Sequence, residues 1–371
     1  MAPSWTAISR RLKSRFSKRL RTGYGCTSAG STRDRCMSKG VRSETLYSSA
    51  LLLKQVTVTE HEHSRGRRLL SGTRLKALLF PFLHRAIKHT SVNIALLPMR
   101  FLIAIMHVLY FWPGNPLRVS CKAVCRIAAR EGFQHDPGRI YRQFLHNALG
   151  VIENYFLLHR HGIGHIADRI LLREQDADMI RGLAKQHGGV ILAVPHNIAS
   201  AISALKLNRS FPLLVVARNP HTIARTKITL EFFEHMQVPV LMVRGGNTFE
   251  LSRNLFSVLR TGRVIAATLD NIENSVEQVD VTIFGQRVGM ARWAVKIAAR
   301  KKLPVVPCYF SSTGNRHRIV FGEPIITGDI EAAVQNYTRF FEQNILTDPA
   351  SWAYLADKRW RRILSDASRL G

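Results

Sequence analysis

The chain has 371 residues, 46% of them hydrophobic, enough for a large core or two domains, which excludes a protein disordered throughout. Its formal net charge of +29 attracts polyanions of every kind, so it names the sign of a partner and not the class. The five cysteines form no C-x-x-C pair and leave an odd number, which speaks against a disulfide framework and for a reducing compartment.

In chain order, residues 1–72 are rich in Arg, Ser, Lys and Thr; up to Lys76 there are seventeen Lys/Arg against four Asp/Glu. They read as a mostly disordered basic arm, and the same composition suits a transit segment or sequence upstream of the true start. Glu60-His61-Glu62-His63 lacks the H-E-x-x-H spacing and reads as a solvated patch, so no metal site is expected. Residues 91–112 are predominantly apolar, about the length of a membrane span. Arg100 inside them would cost about 2.5–3.5 kcal/mol at mid-span, which makes a helix lying in the interface the competing reading. Arg85 and Lys88 before, and Arg118, Lys122, Arg126 and Arg130 after, suit anionic headgroups, with Tyr110 and Trp112 at the edge. Amphipathic helices are expected over residues 119–131 and 140–158, with Cys121 and Cys125 as ordinary apolar positions, and a polar connector over 173–178.

From Gly189 the pattern alternates. Short apolar runs at 190–194, 213–217, 238–243, 264–269, 305–310 and 318–321 predict strands, with helices at 197–206, 221–236, 248–260 and 291–301 and an irregular stretch up to Gly289. Such alternation predicts an α/β fold with a mainly parallel sheet flanked by helices. The expected domains are the arm (1–72), membrane-associated and amphipathic helices (73–160) and an α/β domain (161–371).

Val190-Ile-Leu-Ala-Val-Pro-His196 reads as a buried strand delivering a histidine at its carboxyl end, the edge where open α/β sheets place ligands. The following helix would start near Asn197 with an Asx-type cap. Arg218 with Asn219, Arg244, and Asp270 with Asn271 fall at the carboxyl ends of other predicted strands and so converge on the same edge. With no metal spacing and no G-x-S-x-G elbow, a histidine so placed suits general-base activation of an acceptor hydroxyl; a helix-capping or core histidine is the plain structural reading.

Pro195-His196, Ala217-Arg218-Asn219-Pro220, Val243-Arg244-Gly245, Leu269-Asp270-Asn271, Phe284-Gly285-Gln286, Pro304-Val-Val-Pro307 and Gly322-Glu-Pro-Ile325, followed by Pro349-Ala-Ser-Trp352 and Asp357-Lys-Arg-Trp360, come in an order that resembles the late acyltransferases of lipid A biosynthesis, in the lysophospholipid acyltransferase superfamily. The similarity covers roughly residues 73–362. It implies an acyltransferase-like fold and an enzyme on the cytoplasmic face of the inner membrane, membrane-associated or single-span. Such an enzyme moves a fatty acyl group from an acyl-carrier-protein or coenzyme A thioester, its co-substrate and only cofactor-like requirement, to a hydroxyl of a glycolipid or lysolipid. The family motif is H-x-x-x-x-D/E, with His196 as the base. Ala201 stands where the acid belongs. The resemblance gives Arg218 a phosphate or carboxyl contact on the acceptor; Asn219, Arg244, Asp270 and Asn271 are grouped with it as substrate-binding residues. Ser200 or Ser203 is expected to orient the ring without supplying charge, and Asp270 to supply charge from a neighbouring strand end. The basic surface would steer an acidic carrier protein, a phosphorylated acceptor and the membrane surface. The missing acid favours a second reading, an inactive relative that binds lipid or acyl carrier. A third, nucleic-acid binding by the arm, is weakened because the arm lacks regular aromatic interleaving and the rest shows no recognition module.

Overall fold

The computed structural model describes residues 90–218, 223–243, 263–274 and 278–369. The basic arm with Glu60-His61-Glu62-His63, Asn219, Arg244 and the expected helix at 248–260 lie outside the described residues, and so does the part of the chain on which the nucleic-acid reading rests.

The first elements are helices α1 (Val92–Ala95) and α2 (Leu97–Leu109), divided at Leu96 and followed by α3 (Pro116–Arg130) and α4 (Pro137–Ala167). Pro98 falls in the first turn of α2, where its missing N–H costs nothing, so the apolar stretch starts a new helix there and does not continue the first. At 13 residues α2 is about 20 Å long, short of a hydrocarbon core of about 30 Å. Among the described residues no helix is long and apolar enough to cross a membrane, which corrects the single-span reading of residues 91–112. Asn115 fastens the end of α2 to the body. Its oxygen caps α3 through Leu117 N–H (3.0 Å) and Arg118 N–H (3.2 Å), and its amide donates to the Leu109 carbonyl and the Tyr141 hydroxyl, both at 3.0 Å.

Then come β1 (Ile170–Leu171), α5 (Glu174–His187), β2 (Val190–Val194), α6 (Ser200–Ser210), β3 (Leu213–Arg218), α7 (Ile223–His235), β4 (Val240–Val243) and β5 (Val264–Thr268). Next are β6 (Gln278–Ile283), β7 (Gln286–Ala291), α8 (Trp293–Lys301), β8 (Val305–Thr313), β9 (Arg316–Phe321), α9 (Ile330–Thr347), two short 3₁₀ turns (Pro349–Ser351 and Ala353–Ala356) and α10 (Lys358–Ala367). The polar segment 173–178 is therefore no connector but the acidic first turns of α5, whose Glu174 and Asp176 suit a helix N-terminus. The stretch expected to be irregular before Gly289 holds the antiparallel hairpin β6–β7, whose alternating buried Val279, Val281 and Ile283 show a half-buried strand.

Seven strands form one sheet in the order β1-β9-β8-β2-β5-β3-β4, parallel except where β8 meets β9. β2 lies centrally, and all five of its residues are buried. Ile191 and Ala193 face one hydrophobic cluster, Val190, Leu192 and Val194 the other, which is why the strand reads as an unbroken apolar run. Each of the Val, Leu and Ile side chains stabilises the fold by about 1.5–3 kcal/mol. Gly188, at φ +75°, ends α5 in the left-handed region and turns the chain into β2. Helices α3 and α4 bury Cys121, Val124, Ile127, Ile140 and Tyr141 in the same cluster as Ile191, and Gly162, at φ +81°, breaks the helical geometry of α4. Helix α4 passes so close to the β8–β9 turn that a Cβ on Gly150 would stand 2.1 Å from the Gly314 backbone. Cys121, Cys125 and Cys308 are free and buried, and burial raises all three thiols, Cys125 to about 11.

Candidate active site

β2 ends at Val194, and Pro195, having no N–H, cannot extend the ladder. The Asn197 N–H closes a tight turn on the Pro195 carbonyl (2.8 Å), which leaves His196 at the carboxyl edge of the sheet. The turn is clamped by the C-terminal segment. The His196 carbonyl accepts from Ala353 N–H (2.7 Å), and Ile198 N–H donates to the Ser351 carbonyl (2.9 Å). Asn197 does not cap α6, which begins three residues later. Its side-chain oxygen accepts from Phe310 N–H (3.2 Å), and its amide reaches the Ser351 carbonyl (3.4 Å).

β5 is the parallel neighbour of β2, with Val194 opposite Thr268. The register continues past both strands, because Leu269 N–H donates to the Val194 carbonyl (2.9 Å). Two residues beyond the last pair stand His196 on one strand and Asp270 on the other, and their side chains meet: imidazole Nδ1 is hydrogen-bonded to Asp270 Oδ1. The other oxygen, Oδ2, accepts from the His196 backbone N–H and from Trp352 Nε1, both at 2.9 Å. Asp270 is only 1% exposed, so its charge is supported by these donors rather than by water. A carboxylate accepts and does not donate, so the ring proton facing it lies on Nδ1 and the neutral ring presents its lone pair at Nε2. The imidazole itself is 28% exposed.

An aromatic box keeps water from the carboxylate. Trp352 and Trp360 are buried edge to face with centroids 5.1 Å apart, and Phe284 from the β6–β7 turn packs on both at 6.1 Å. Trp360 Nε1 donates to the Asp270 carbonyl (3.1 Å), and Asp357 caps α10 through Arg359 N–H (2.7 Å) and Trp360 N–H (3.1 Å). From the other side Asn147 of α4 holds the turn before Trp352, donating to the Ala350 carbonyl (3.1 Å). Tyr354, in the next turn, lies against the His196 ring with its hydroxyl 3.0 Å from Nε2, and donates to Asn271 Oδ1 (2.7 Å).

A family model described as bacterial lipid A biosynthesis acyltransferase matches residues 134–362, more than half of the chain. The chain belongs to that family. No curated protein matches it. The family match spans α4 to α10 and so contains every residue of the constellation around His196, while starting well after residue 73. The fold is the expected one for this acyltransferase family, a mostly parallel sheet flanked by helices.

The residues singled out in the sequence fare differently. Asp270 is buried behind His196, with both carboxylate oxygens engaged. Asn271 stands at the site through Tyr354. Arg218 closes β3, one strand beyond β5, and only its backbone is described. Ser200 does not orient the ring, because its hydroxyl is spent on the Asn197 backbone, donating to the carbonyl (2.9 Å) and accepting from N–H (3.1 Å). Ser203 does not either: its hydroxyl is fully buried without a hydrogen-bond partner. Ala201, in the first turn of α6, packs against the cluster on the far face from Trp352 and Trp360. Sequence reasoning missed Trp352, Trp360 and Tyr354 as site residues. The two tryptophans were signalled only by their place in the resembling motifs, and Tyr354 by nothing local. Among the described residues no three His, Cys, Asp or Glu side chains are grouped to hold a metal ion.

Around the site, Lys122, Arg126 and Arg130 of α3 and Lys358, Arg359 and Arg362 of α10 are exposed. α2 leaves apolar side chains in solvent, among them Phe101 (69% exposed), Ile105 and Val108 (70%), and Phe111 and Trp112 follow. Such a cluster on a surface marks an interaction site.

Proposed function

We propose that this acyltransferase-family chain moves a fatty acyl group from an acyl-carrier-protein or coenzyme A thioester to a hydroxyl of a glycolipid or lysolipid acceptor, with His196 as general base. The observation that carries the reading is the hydrogen-bonded pair of His196 and buried Asp270 at the carboxyl edge of the sheet. Nε2 takes the proton of the acceptor hydroxyl as its oxygen attacks the thioester carbonyl carbon. The tetrahedral oxyanion then collapses, the C–S bond breaks, and the thiolate leaves with the proton returned from the imidazolium. Asp270 keeps the ring in the required tautomer and offsets the charge it gains, the task the family motif gives to the residue that is Ala201 here. Arg218, Asn219, Arg244 and Asn271 are proposed to line the acceptor side, where guanidinium groups suit phosphate.

The enzyme works at the cytoplasmic face of the inner membrane. The exposed apolar side chains of α2 enter the interface, and the cations of α3 and α10 meet anionic headgroups or an acidic carrier. Ala201 favours a second reading, an inactive relative that retains lipid or carrier binding.

The test is turnover by the full chain in mixed micelles, with lauroyl and myristoyl thioesters of acyl carrier protein and of coenzyme A, and a panel of phosphorylated lipid A precursors and lysophospholipids. Acylated product is expected, falling at least about a thousandfold in His196→Ala. Absence of product above that variant with every donor and acceptor would leave the inactive reading.

A further inference from the structure

The imidazole has a second neighbour that the proposed chemistry does not use. The rings of His196 and Tyr354 are stacked, with centroids 4.1 Å apart and planes 19° from parallel. Near-parallel rings at this separation put the phenol oxygen over the face of the imidazole, even though it is 3.0 Å from Nε2. The Nε2 lone pair lies in the plane of its own ring, so Tyr354 does not occupy the direction from which an acceptor hydroxyl must approach. The phenol is held from its far end, where its hydroxyl donates to Asn271 Oδ1 (2.7 Å), and its turn is tied to the His196 backbone through Ala353 N–H (2.7 Å). An aromatic face attracts a cation over it more strongly than it attracts a neutral ring, so this arrangement favours the imidazolium.

We propose that Tyr354 is a positioning residue: its aromatic face, stacked on His196 from a turn tied to the His196 backbone, holds the imidazole in register with Asp270 and stabilises the positive charge the ring acquires when it takes the acceptor proton. This rests on His196 being the base, as proposed above. It supplies a second source of the charge stabilisation lost with the acid at position 201: the carboxylate of Asp270 in the ring plane, the phenol above it. Among the described residues, the titratable groups in contact with the imidazole are Asp270 from the end of β5 and Tyr354 from the C-terminal turn. Arg359 of α10 reaches the same loop at the Ile272 carbonyl (3.2 Å).

Two readouts test it on the full chain in detergent micelles. In the first, histidine labelled with ¹³C and ¹⁵N reports the titration of the His196 ring by NMR, assigned by its loss in His196→Gln. Tyr354→Leu, without the aromatic face, is expected to move the midpoint down by about 0.7 pH unit, the equivalent of about fivefold. Tyr354→Phe, which keeps the face, leaves it in place; if the leucine variant fails to fold, Tyr354→Met, equally without the face, is expected to show the same downward shift and takes its place in the test. In the second, acyl transfer with lauroyl thioester, kcat of Tyr354→Leu falls about 5- to 30-fold at unchanged acceptor KM, and Tyr354→Phe retains at least half of the activity. The proposal is overturned if Tyr354→Leu titrates as the parent does. It is equally overturned if Tyr354→Phe loses as much activity as Tyr354→Leu, which would place the effect in the hydroxyl and not in the aromatic face. A parent protein without turnover removes the acyl-transfer reading, while the NMR titration still decides the role of Tyr354.

Discussion

Asp270→Asn is the sharpest perturbation of the proposed machinery, because the amide has nearly the shape of the carboxylate and differs in what it can donate. Oδ2 accepts two N–H groups at 2.9 Å, from the His196 backbone and Trp352 Nε1, so the single oxygen of asparagine belongs there. Its NH₂ is then turned toward Nδ1, which must become an acceptor, and the ring proton moves to Nε2. The lone pair that should take the acceptor proton is gone. The same amide exchange in serine-protease triads lowers kcat about 10⁴-fold, or about 5.5 kcal/mol, and a loss of about 10³- to 10⁴-fold is expected here. Both bonds to Oδ2 survive and a buried charge is removed, so the thermal midpoint should change by only a few degrees. Asp270→Ala, in contrast, leaves the indole and backbone donors unpaired and should cost about 2–5 kcal/mol. Initial rates of acyl transfer beside thermal unfolding check both halves. An Asp270→Asn protein that is folded and within tenfold of the parent rate would refute the tautomer argument.

Three further outcomes are expected. Ala201→Asp, which restores the family motif in the sequence, should bring no gain in rate: position 201 packs against the cluster on the other face of the sheet, and a carboxylate there should lower stability by about 1–3 kcal/mol, measured by denaturant unfolding. A severalfold rate increase would show that the motif position does reach the ring. His317 is buried between Asn154, whose amide donates to Nε2 (2.8 Å), and the Ser312 hydroxyl (3.0 Å from Nδ1), and burial holds its pKa down at about 4. Below about pH 6.5 the unfolded chain takes up a proton that the folded one refuses, so stability falls as pH drops toward 4, by about 2 kcal/mol at pH 5. Unfolding curves from pH 7 to 5 should show this slope flattened in His317→Gln, and an equal slope in the variant would remove His317 as its source. Finally, Phe101→Asp combined with Val108→Asp should weaken binding to phosphatidylglycerol-containing vesicles at least about a hundredfold, since each apolar side chain contributes about 1.5–3 kcal/mol when removed from water. Unchanged co-sedimentation would place membrane contact elsewhere.

Much of the sheet was legible because strands buried on both faces are written as short apolar runs: residues 190–194 and 264–269 announce β2 and β5 within a residue. The hairpin β6–β7 was legible in principle, through the alternation of Val279, Val281 and Ile283, but the surrounding polar residues hid it. Helix α9, over Ile330–Thr347, was likewise legible in principle, with Asp329 as its cap and an apolar face that includes Val334, Tyr337 and Phe341. The length of the apolar helix was not legible, since composition shows how apolar residues 91–112 are and not that the helix restarts at Leu97.

By itself the sequence determined that His196 stands at the carboxyl end of a central strand, because local periodicity and the proline after it are properties of neighbouring residues. It also determined that the carboxylate at the family spacing is absent, since Ala201 is read directly. Which group serves the imidazole instead was decided only by tertiary structure. Asp270 reaches it because β5, 70 residues away, pairs beside β2 in a register that puts Val194 opposite Thr268, and strand order and register are set by packing across the whole core. Trp352, Trp360 and Tyr354 come from the far end of the chain, and no local pattern carries the distance between two ends of a fold.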